Sequence, residues 1–550
     1  MSEMKYVFGI DLGTTYSCIA HVDDSTKTKV LVSSEGGNTT PSVVYFESPQ
    51  DVVVGQIAKE TAVVEAENTV SLVKPLMGKS DTAITLDGTK ISPEAVSALI
   101  LKKLAQDASE ATGQDVTHVV ITVPAYFGAA QRVATQNAGT AAGLTVMEVI
   151  NEPTAAALYY GCVKDQGKKS ILVYDLGGGT FDVTIMDIND GVIEVICSEG
   201  IHEIGGKDWD EALMRHILKD FSEQTGHDEP LDENGNQSLR LKAEAAKKQL
   251  SGMAKTVVTM EAGGKAARVT ITREDFDAIT ESLLAQTLDE TDKAIQIARS
   301  KGVEFTEILL VGGSTRMPQV EAALIAKYGM KPMQTDNPDE AVARGAAIHA
   351  LDLATGAVKW KEEQKNNPGP QGDDRIGGTT GKPDFEIEGG ATLPPSPIEE
   401  KNIRIIHATT KSYALRVLLN GAPQCNNLIV KNERLENDVK NVTKTYGTAE
   451  DNMKTVELVV FENDSMEEYF EVDEKLILGK AILPLSGDLP EGSPIEVTFA
   501  LNSQGVLKIT GLDKTNGQHI EAEMQAVGIM SKEEVDEMRE KIKDISVIKA

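Results

Sequence analysis

A chain of 550 residues is longer than one hydrophobic core can organise, and roughly three or four domain-sized units are expected. With 41% hydrophobic and 25% charged residues it has the balance of a folded globular protein. The 85 Asp and Glu against 54 Lys and Arg leave a net charge of −31, which repels phosphate backbones and anionic headgroups and sets aside nucleic acid and membrane surfaces as partners.

At the N-terminus, Val7, Phe8, Gly9 and Ile10 run only as far as Asp11, too short for the apolar region of a signal peptide. No later segment has the uninterrupted apolar length of a membrane span. Cys18, Cys162, Cys197 and Cys425 lie far apart, with neither metal-ligand pairs nor a disulfide framework, so a reducing, cytoplasmic setting is expected.

The stretch VFGIDLGTTYSCIAHV from Val7 reads as an apolar strand ending in Asp, a Gly/Thr turn and a second strand. A helical pattern from Pro93 to Thr112 leads into an apolar strand from His118 to Val123, an α/β signature. From Ile171, ILVYDLGGGTFDVTIMDI repeats the first pattern. Glycines in such a turn let backbone N–H groups approach phosphate oxygens, and Thr hydroxyls add donors. Two facing copies would clamp one polyphosphate, with Asp11 and Asp175 opposed across it to hold hydrated Mg²⁺ through water. A single DLGTT is equally an ordinary hairpin turn, but LLVGGSTRMPQV from Leu309 adds a third strand, Gly-Gly-Ser turn and helix start able to seat an anion. Neither a Walker-A pattern nor GxGxxG occurs.

Between Glu362 and Asn402 fall six of the 20 prolines and seven glycines, a composition that sustains neither helix nor paired strand. Beyond it, alternation such as Val456, Leu458, Val460 and Ile495, Val497, Phe499, Leu501, with turns at Ser503-Gln504-Gly505 and Thr515-Asn516-Gly517, reads as an all-β domain. After Gly528, Ser531 and Glu534 form a capping-box pattern ahead of an apolar stripe at Val535, Met538, Ile542 and Ile545.

DLGTTYS at 11–17, VPAYF at 123–127, INEPTAAA at 150–157, DLGGGTFDV at 175–183, GGKDWD at 205–210, VGGSTR at 311–316 and NPDEAVARGAA at 337–347 resemble the nucleotide domain of the DnaK-type heat-shock chaperones. YGTAEDN at 446–452 and PIEVTFALNSQGVLKITGLDKTNG from Pro494 resemble that family's second domain, which actin-like sugar kinases do not carry. The resemblance implies an actin-like, ribonuclease H-like duplicated ATPase domain over 1–361, a Pro/Gly-rich linker over 362–402, a β-sandwich peptide-binding domain over 403–528 and a residual lid helix over 529–550. It implies an ATP-dependent, stress-response chaperone that binds extended hydrophobic segments of unfolded proteins and hydrolyses ATP to ADP with Mg²⁺ and K⁺, with J-domain and nucleotide-exchange partners. A non-cycling ATP-binding regulator or exchange partner of another chaperone is the alternative.

Carried over by resemblance, Gly13, Thr14, Thr15 and Tyr16 form the first phosphate loop, Gly177, Gly178, Gly179 and Thr180 the second, with Gly205 and Gly206 beside them. Lys74 is the catalytic lysine, Glu152 and Asp182 position water, and Asp11 and Asp175 surround the metal ions. Glu244, Lys247, Lys248, Ser251, Gly312, Gly313, Ser314, Arg316 and Asp339 form the adenosine side, and Leu415, Leu418, Tyr446, Val456 and Leu458 line the peptide cleft. Alternating apolar residues in strands are as often core as cleft.

Four departures stand out. Lys248 replaces the arginine that often stacks on adenine, a poorer planar partner. Glu148 stands where an arginine usually meets J-domains, and His407 where the family has Asp after an apolar tether, here Ile403, Ile405 and Ile406. The chain between Lys74 and Pro124 is short, which suggests a trimmed peripheral lobe. The 22 residues after Gly528 allow one helix of about 30 Å, too little for a lid bundle, so fast peptide exchange is expected.

Overall fold

The computed structural model describes residues 5–79, 84–86, 89–163, 167–189, 191–334, 337–366, 393–398, 403–436, 438–485, 487–524 and 530–548. Two sheets organise the first 350 residues, and they repeat one plan. In the first, Phe8–Asp11 is flanked in parallel by His118–Val123, itself parallel to Thr145–Asn151, and on its other side pairs antiparallel with Tyr16–Val22, followed by Thr28–Val30. In the second, Lys169–Leu176 is flanked in parallel by Glu307–Val311 and then Met333–Gln334, and pairs antiparallel with Phe181–Asn189, followed by Val192–Ile201. Helices Glu152–Val163 and Ala341–Asn366 pack on each other between the sheets, burying Ala155, Leu158, Ala343 and Ala347. Both central strands are buried along their apolar runs, so each can stop only at the edge of its layer, where Asp11 and Asp175 stand.

Local signals explain the helices that frame the site. Pro93–Thr112 starts on Ser92, whose hydroxyl accepts from Ala95 N, and stops at Gly113 in the left-handed region at φ 68°. Arg273–Ser300 opens on a Thr272/Asp275 capping box. Ala341–Asn366 runs five residues into the stretch read above as linker, because Glu362 to Asn366 are helix-compatible residues and the first proline comes only at 368. The rest of that stretch lies outside the described residues, apart from 393–398. There Ile398 is buried in the core between the two sheets and Ser396 Oγ bonds Asp352 at 3.1 Å. At 393–398 the chain therefore lies on the α/β unit, ahead of the strand that leads to the β unit.

It leaves as a strand. Arg404–Ile406 joins the second sheet as a sixth strand, parallel to Val192–Ile201 with Arg404 opposite Val192 and Ile406 opposite Glu194. Ile403 and Ile406 are buried. The β unit that follows has two sheets. One runs Tyr469–Phe470, Ala422–Ile429, Ser412–Leu419, Thr455–Asn463, Ile477–Pro484; the other runs Val439–Gly447, Pro494–Asn502, Leu507–Asp513, His519–Met524. Leu415, Ile429, Leu458 and Leu483 from one interleave with Val497, Phe499, Leu507 and Ile509 from the other. The turns anticipated near Gly505 and Gly517 are present, with φ of 81° and 75°.

The β unit is seated on the α/β unit by polar contacts at several points. The Glu462 carboxylate accepts from Ala129 N at 3.0 Å, Asn432 Oδ1 from Ser198 N at 2.9 Å, and Lys431 Nζ meets Glu199 at 2.8 Å.

Helix Lys532–Asp544, capped by Ser531 and Glu534, lies against helices Pro93–Thr112 and Ala129–Ala141 of the α/β unit. Val535, Met538 and Ile542 are buried, and Lys102 Nζ caps the helix end through the carbonyls of Ile542 at 2.8 Å and Ile545 at 2.8 Å. Ser546–Ile548 then extends a small sheet as a strand parallel to Asp51–Val54, with Val547 buried. The segment read as a residual lid is thus a strap on the first α/β half. We expect Ile542→Ala to cost this docking about 2–4 kcal/mol by opening a cavity at the seam. Amide exchange at Ser546–Ile548 and Asp51–Val54 would accelerate together while the second sheet stays protected; unchanged exchange would show that the helix does not hold the strand.

Candidate active site

Three glycine turns converge where the two central strands end. In the first, a Cβ on Gly13 would lie 2.0 Å from the Tyr16 carbonyl oxygen, so only glycine allows the turn. The second is closed by Gly177 N on Thr180 O at 3.1 Å. The two turns touch: a Cβ on Gly178 would sit 2.0 Å from Thr15 Oγ1, and one on Gly179 2.6 Å from Thr14 Cγ2. In the third, Gly312 has φ 83° and its neighbour Ser314 donates Oγ to Gly177 O at 2.9 Å. Helix Gly206–Thr225 starts against the second turn, with Gly206 N on Gly177 O at 2.9 Å and Lys207 N on Gly178 O at 2.8 Å.

Four carboxylates and one ammonium gather beneath the turns. Glu152, Asp175, Asp182 and Lys74 are buried, and Lys74 Nζ donates to Glu152 Oε1. Thr122 Oγ1 reaches Asp11 at 3.3 Å. Burial, reinforced by the charge on Glu152, pushes Asp11 up to about 7. Burial also raises Asp175 well above the usual carboxylate range, with Glu152, Asp182 and Asp11 adding to it; Asp182 is raised by burial and by Glu152. Lys74 opposes each shift without cancelling it. Asp182 Oδ1 has no hydrogen-bond partner in the structure.

A cavity of about 490 Å³ opens above this group and extends between the halves. At its far end Tyr16 OH donates to Glu244 at 2.8 Å, and Lys248 Nζ and Lys59 Nζ each reach the Tyr16 oxygen at 2.8 Å. Burial alone would raise Glu244, but Lys59 and Lys248 hold its carboxyl down to about 2. Lys247 is fixed by Asp210 at 2.8 Å and by the Gly206 carbonyl at 2.9 Å, and Arg316 pairs with Asp339 at 2.8 Å.

Most of the residues expected for nucleotide line this one cavity, from Asp11, Gly13, Thr14, Thr15 and Tyr16 to Lys74, Glu152, Asp175, Gly177, Gly178, Thr180 and Gly206. So do Glu244, Lys247, Lys248, Ser251, Gly312, Gly313, Ser314, Arg316 and Asp339; Gly179 and Gly205 adjoin that lining without belonging to it, and Asp182, opposite Asp175 in the strand pair, does not line the cavity. Sequence reasoning missed Lys59, which bridges the two halves through Glu244 and Tyr16, and Asp210, which orients Lys247. Lys59 sits on the short helix Gln56–Thr61 with nothing in its local pattern to mark it; Asp210, inside GGKDWD, could have been found from its motif. The residues expected for peptide are dispersed: Leu415 and Leu458 lie in the sandwich core, Tyr446 and Val456 are half-buried against it, and Leu418 is 59% exposed.

The family model described as Hsp70 protein matches residues 7–362 and 392–547, almost the whole chain.

The crowding of acids makes a sign-definite prediction. A carboxyl held above its unfolded value favours the fold while protonated, so nucleotide-free stability is lost as pH rises from about 4 through the folded values. Asp175→Asn should raise the nucleotide-free melting midpoint by roughly 2–4 °C at pH 8 and less at pH 5, while shrinking the further rise given by Mg²⁺ with ADP. A lowered midpoint at pH 8 would show that the cluster is balanced without a cation.

Proposed function

The chain belongs to the Hsp70 family, whose members are ATP-dependent chaperones, and we propose that it is an active ATPase that couples nucleotide to the capture of extended hydrophobic segments of unfolded proteins. The observation that carries this reading is the contact between the two glycine turns above a buried, acid-rich floor. In the actin-like, duplicated arrangement, the polyphosphate lies between Gly13–Tyr16 and Gly177–Thr180, and its base reaches the Glu244, Lys247, Lys248 and Arg316 side. The residues fit a hydrated Mg²⁺, since Asp11 and Asp175 carry raised pKa values that a cation would relieve, and that ion would neutralise phosphate charge. Potassium is assigned to the same carboxylates.

Each protein group then has a task. Lys74, held by Glu152 and shielded from water, presents a fixed ammonium to charge that develops on the transferred phosphoryl group. Asp182, with one oxygen unpartnered, and Glu152 orient the attacking water. Thr180 adds a hydroxyl at the second turn. The site is linked mechanically to the β unit: Lys74 lies 5.9 Å from the Phe127 ring, and two residues on, Ala129 N is held by Glu462 of the β unit. Nucleotide binding that moves one half against the other therefore pulls on the seat of the β unit, and peptide binding must act back on the nucleotide by the same free energy. Peptide would enter beside Leu418, with Tyr446 and Val456 behind it. J-domain and exchange partners belong to the same proposed cycle.

Single-turnover hydrolysis with Lys74→Ala tests the assignment. We expect a rate loss of about 10²–10³, with peptide affinity weaker in ATP than in ADP. Equal rates for the two proteins would remove the hydrolytic role, and equal peptide affinities would leave a non-cycling binder.

A further inference from the structure

The C-terminal strap reaches the nucleotide cleft by a route that the hydrolytic steps do not use. Its strand, Ser546–Ile548, pairs in parallel with Asp51–Val54, with Ser546 N donating to Gln50 O at 2.7 Å and Val547 opposite Val52. Asp51–Val54 pairs in turn with Val44–Phe46, and that strand with Thr69–Val70. Without the strap, Asp51–Val54 would be the edge of a sheet whose strands are four, three and two residues long. So small a sheet is marginal by itself. The strap turns its longest strand into an interior one, and Val52 and Val54 share one apolar cluster with Val547, Met538 and Ile542.

That strand runs directly into the element that carries Lys59. After Val54 the chain turns at Gly55, at φ 116°, a conformation that glycine takes readily and other residues do not, and begins the helix Gln56–Thr61. Six residues are too few to hold a helix unaided. This one is capped by Glu35, which accepts from Gln56 N at 2.8 Å and from Ile57 N at 2.9 Å, and it rests on Val44–Phe46 and Asp51–Val54. From it Lys59 crosses the cleft to the Glu244 carboxylate, on helix Glu233–Gly252 of the other half, and meets the Tyr16 hydroxyl at 2.8 Å. An ion pair between two bodies holds them only as firmly as its side chains are based, and the base of Lys59 is the sheet that the strap completes.

We propose that the C-terminal strap is a positioning element of the nucleotide cleft: paired with Asp51–Val54 it keeps Lys59 on Glu244 and slows release of bound nucleotide, and unpaired it lets that side of the cleft open. This rests on the nucleotide-binding reading above and adds to it a control on how long the nucleotide stays. Residues 525–529 are all that separate the last β-unit strand, His519–Met524, from Met530, which already packs against the first half. The β unit therefore bears on release through this arm, apart from the linker strand Arg404–Ile406, which lies on the second half. Coupling of this kind is reciprocal, so nucleotide that closes the cleft tightens the strap in return.

The test uses the full chain and a fluorescent N-methylanthraniloyl ADP with Mg²⁺. Val547→Asp, which puts a charge into the apolar seam, should speed release of the probe by roughly 5- to 20-fold. Ser546→Pro, which removes the donor to Gln50 O from an exposed position, should speed it by less, and amide protection of Lys169–Leu176 should stay at the wild-type level in both. In a Lys59→Gln chain release is already fast, and Val547→Asp should add nothing further. Release left unchanged by both strap variants, or a Val547→Asp effect that persists in full without Lys59, overturns the proposal. Wild-type protein gives a check free of folding defects: bound ADP should slow amide exchange at Ser546–Ile548, and exchange that bound ADP does not alter refutes the coupling. A chain that binds no adenine nucleotide would remove the function proposed above, and the strap's hold on Lys59 is then decided in the nucleotide-free protein. There Val547→Asp should accelerate exchange across Gln56–Thr61, and a helix that exchanges at the wild-type rate overturns the proposal.

Discussion

Four acids share one buried lysine at the floor of the cleft, and this imbalance of charge is what the α/β architecture is built to hold. Asp11, Glu152, Asp175 and Asp182 come from different strands and from a helix start, brought together because two central strands end at the same level. Lys74 neutralises at most one of them. Concentrating like charge out of water is unfavourable by itself, so the protein is poised for a cation and the polyanion that accompanies it. The glycine turns above serve the same end: they close to contact without side chains in the way, so whatever sits between them sets the separation of the two halves.

The β unit does not merely neighbour the α/β unit; the chain that leads into it shares a sheet with that unit. Arg404–Ile406 uses backbone hydrogen-bonding groups on the edge of Val192–Ile201, a strand that would otherwise leave a row of amides for other chains to pair with. Glu462, Asn432 and Lys431 add side-chain fixings at other points of the seam, so rotation of one half against the other cannot leave all of them satisfied. The C-terminal strap adds an anchor on the opposite half. The β unit is held through both of its ends, each to a different half of the machine that would move.

Sequence pattern carried the two glycine turns well, since a strand ending in Asp followed by Gly and Thr occurs twice at matching places in the two sheets. The helix Pro93–Thr112 was equally readable, because Ser92, Pro93 and Gly113 mark its ends by local chemistry. What escaped depended on partners far along the chain. Lys59 finds Glu244 across 185 positions, and Glu148 finds Gln504 across 356, so a residue that reads as an outward-facing acid is in fact enclosed. Period-two alternation cannot tell a core face from a cleft face, which is why Leu415 and Leu458, expected to line the peptide cleft, lie in the sandwich core. The amphipathic stripe of Lys532–Asp544 showed that one face is covered but not by what, and a three-residue strand such as Ser546–Ile548 leaves no periodic trace at all.

The packing of residues 393–398 on the α/β unit, before the linker strand begins, bears on how far the two units can part. Because the described residues on both sides of the Pro/Gly-rich stretch belong to one body, the length of that stretch drops out of the effective concentration that one unit experiences of the other. At this end of the β unit the few residues between Ile406 and the strand at Ser412 act as leash. The covalent span that joins the two units here is thus set by the residues after Ile398 and not by the number of residues before Leu393.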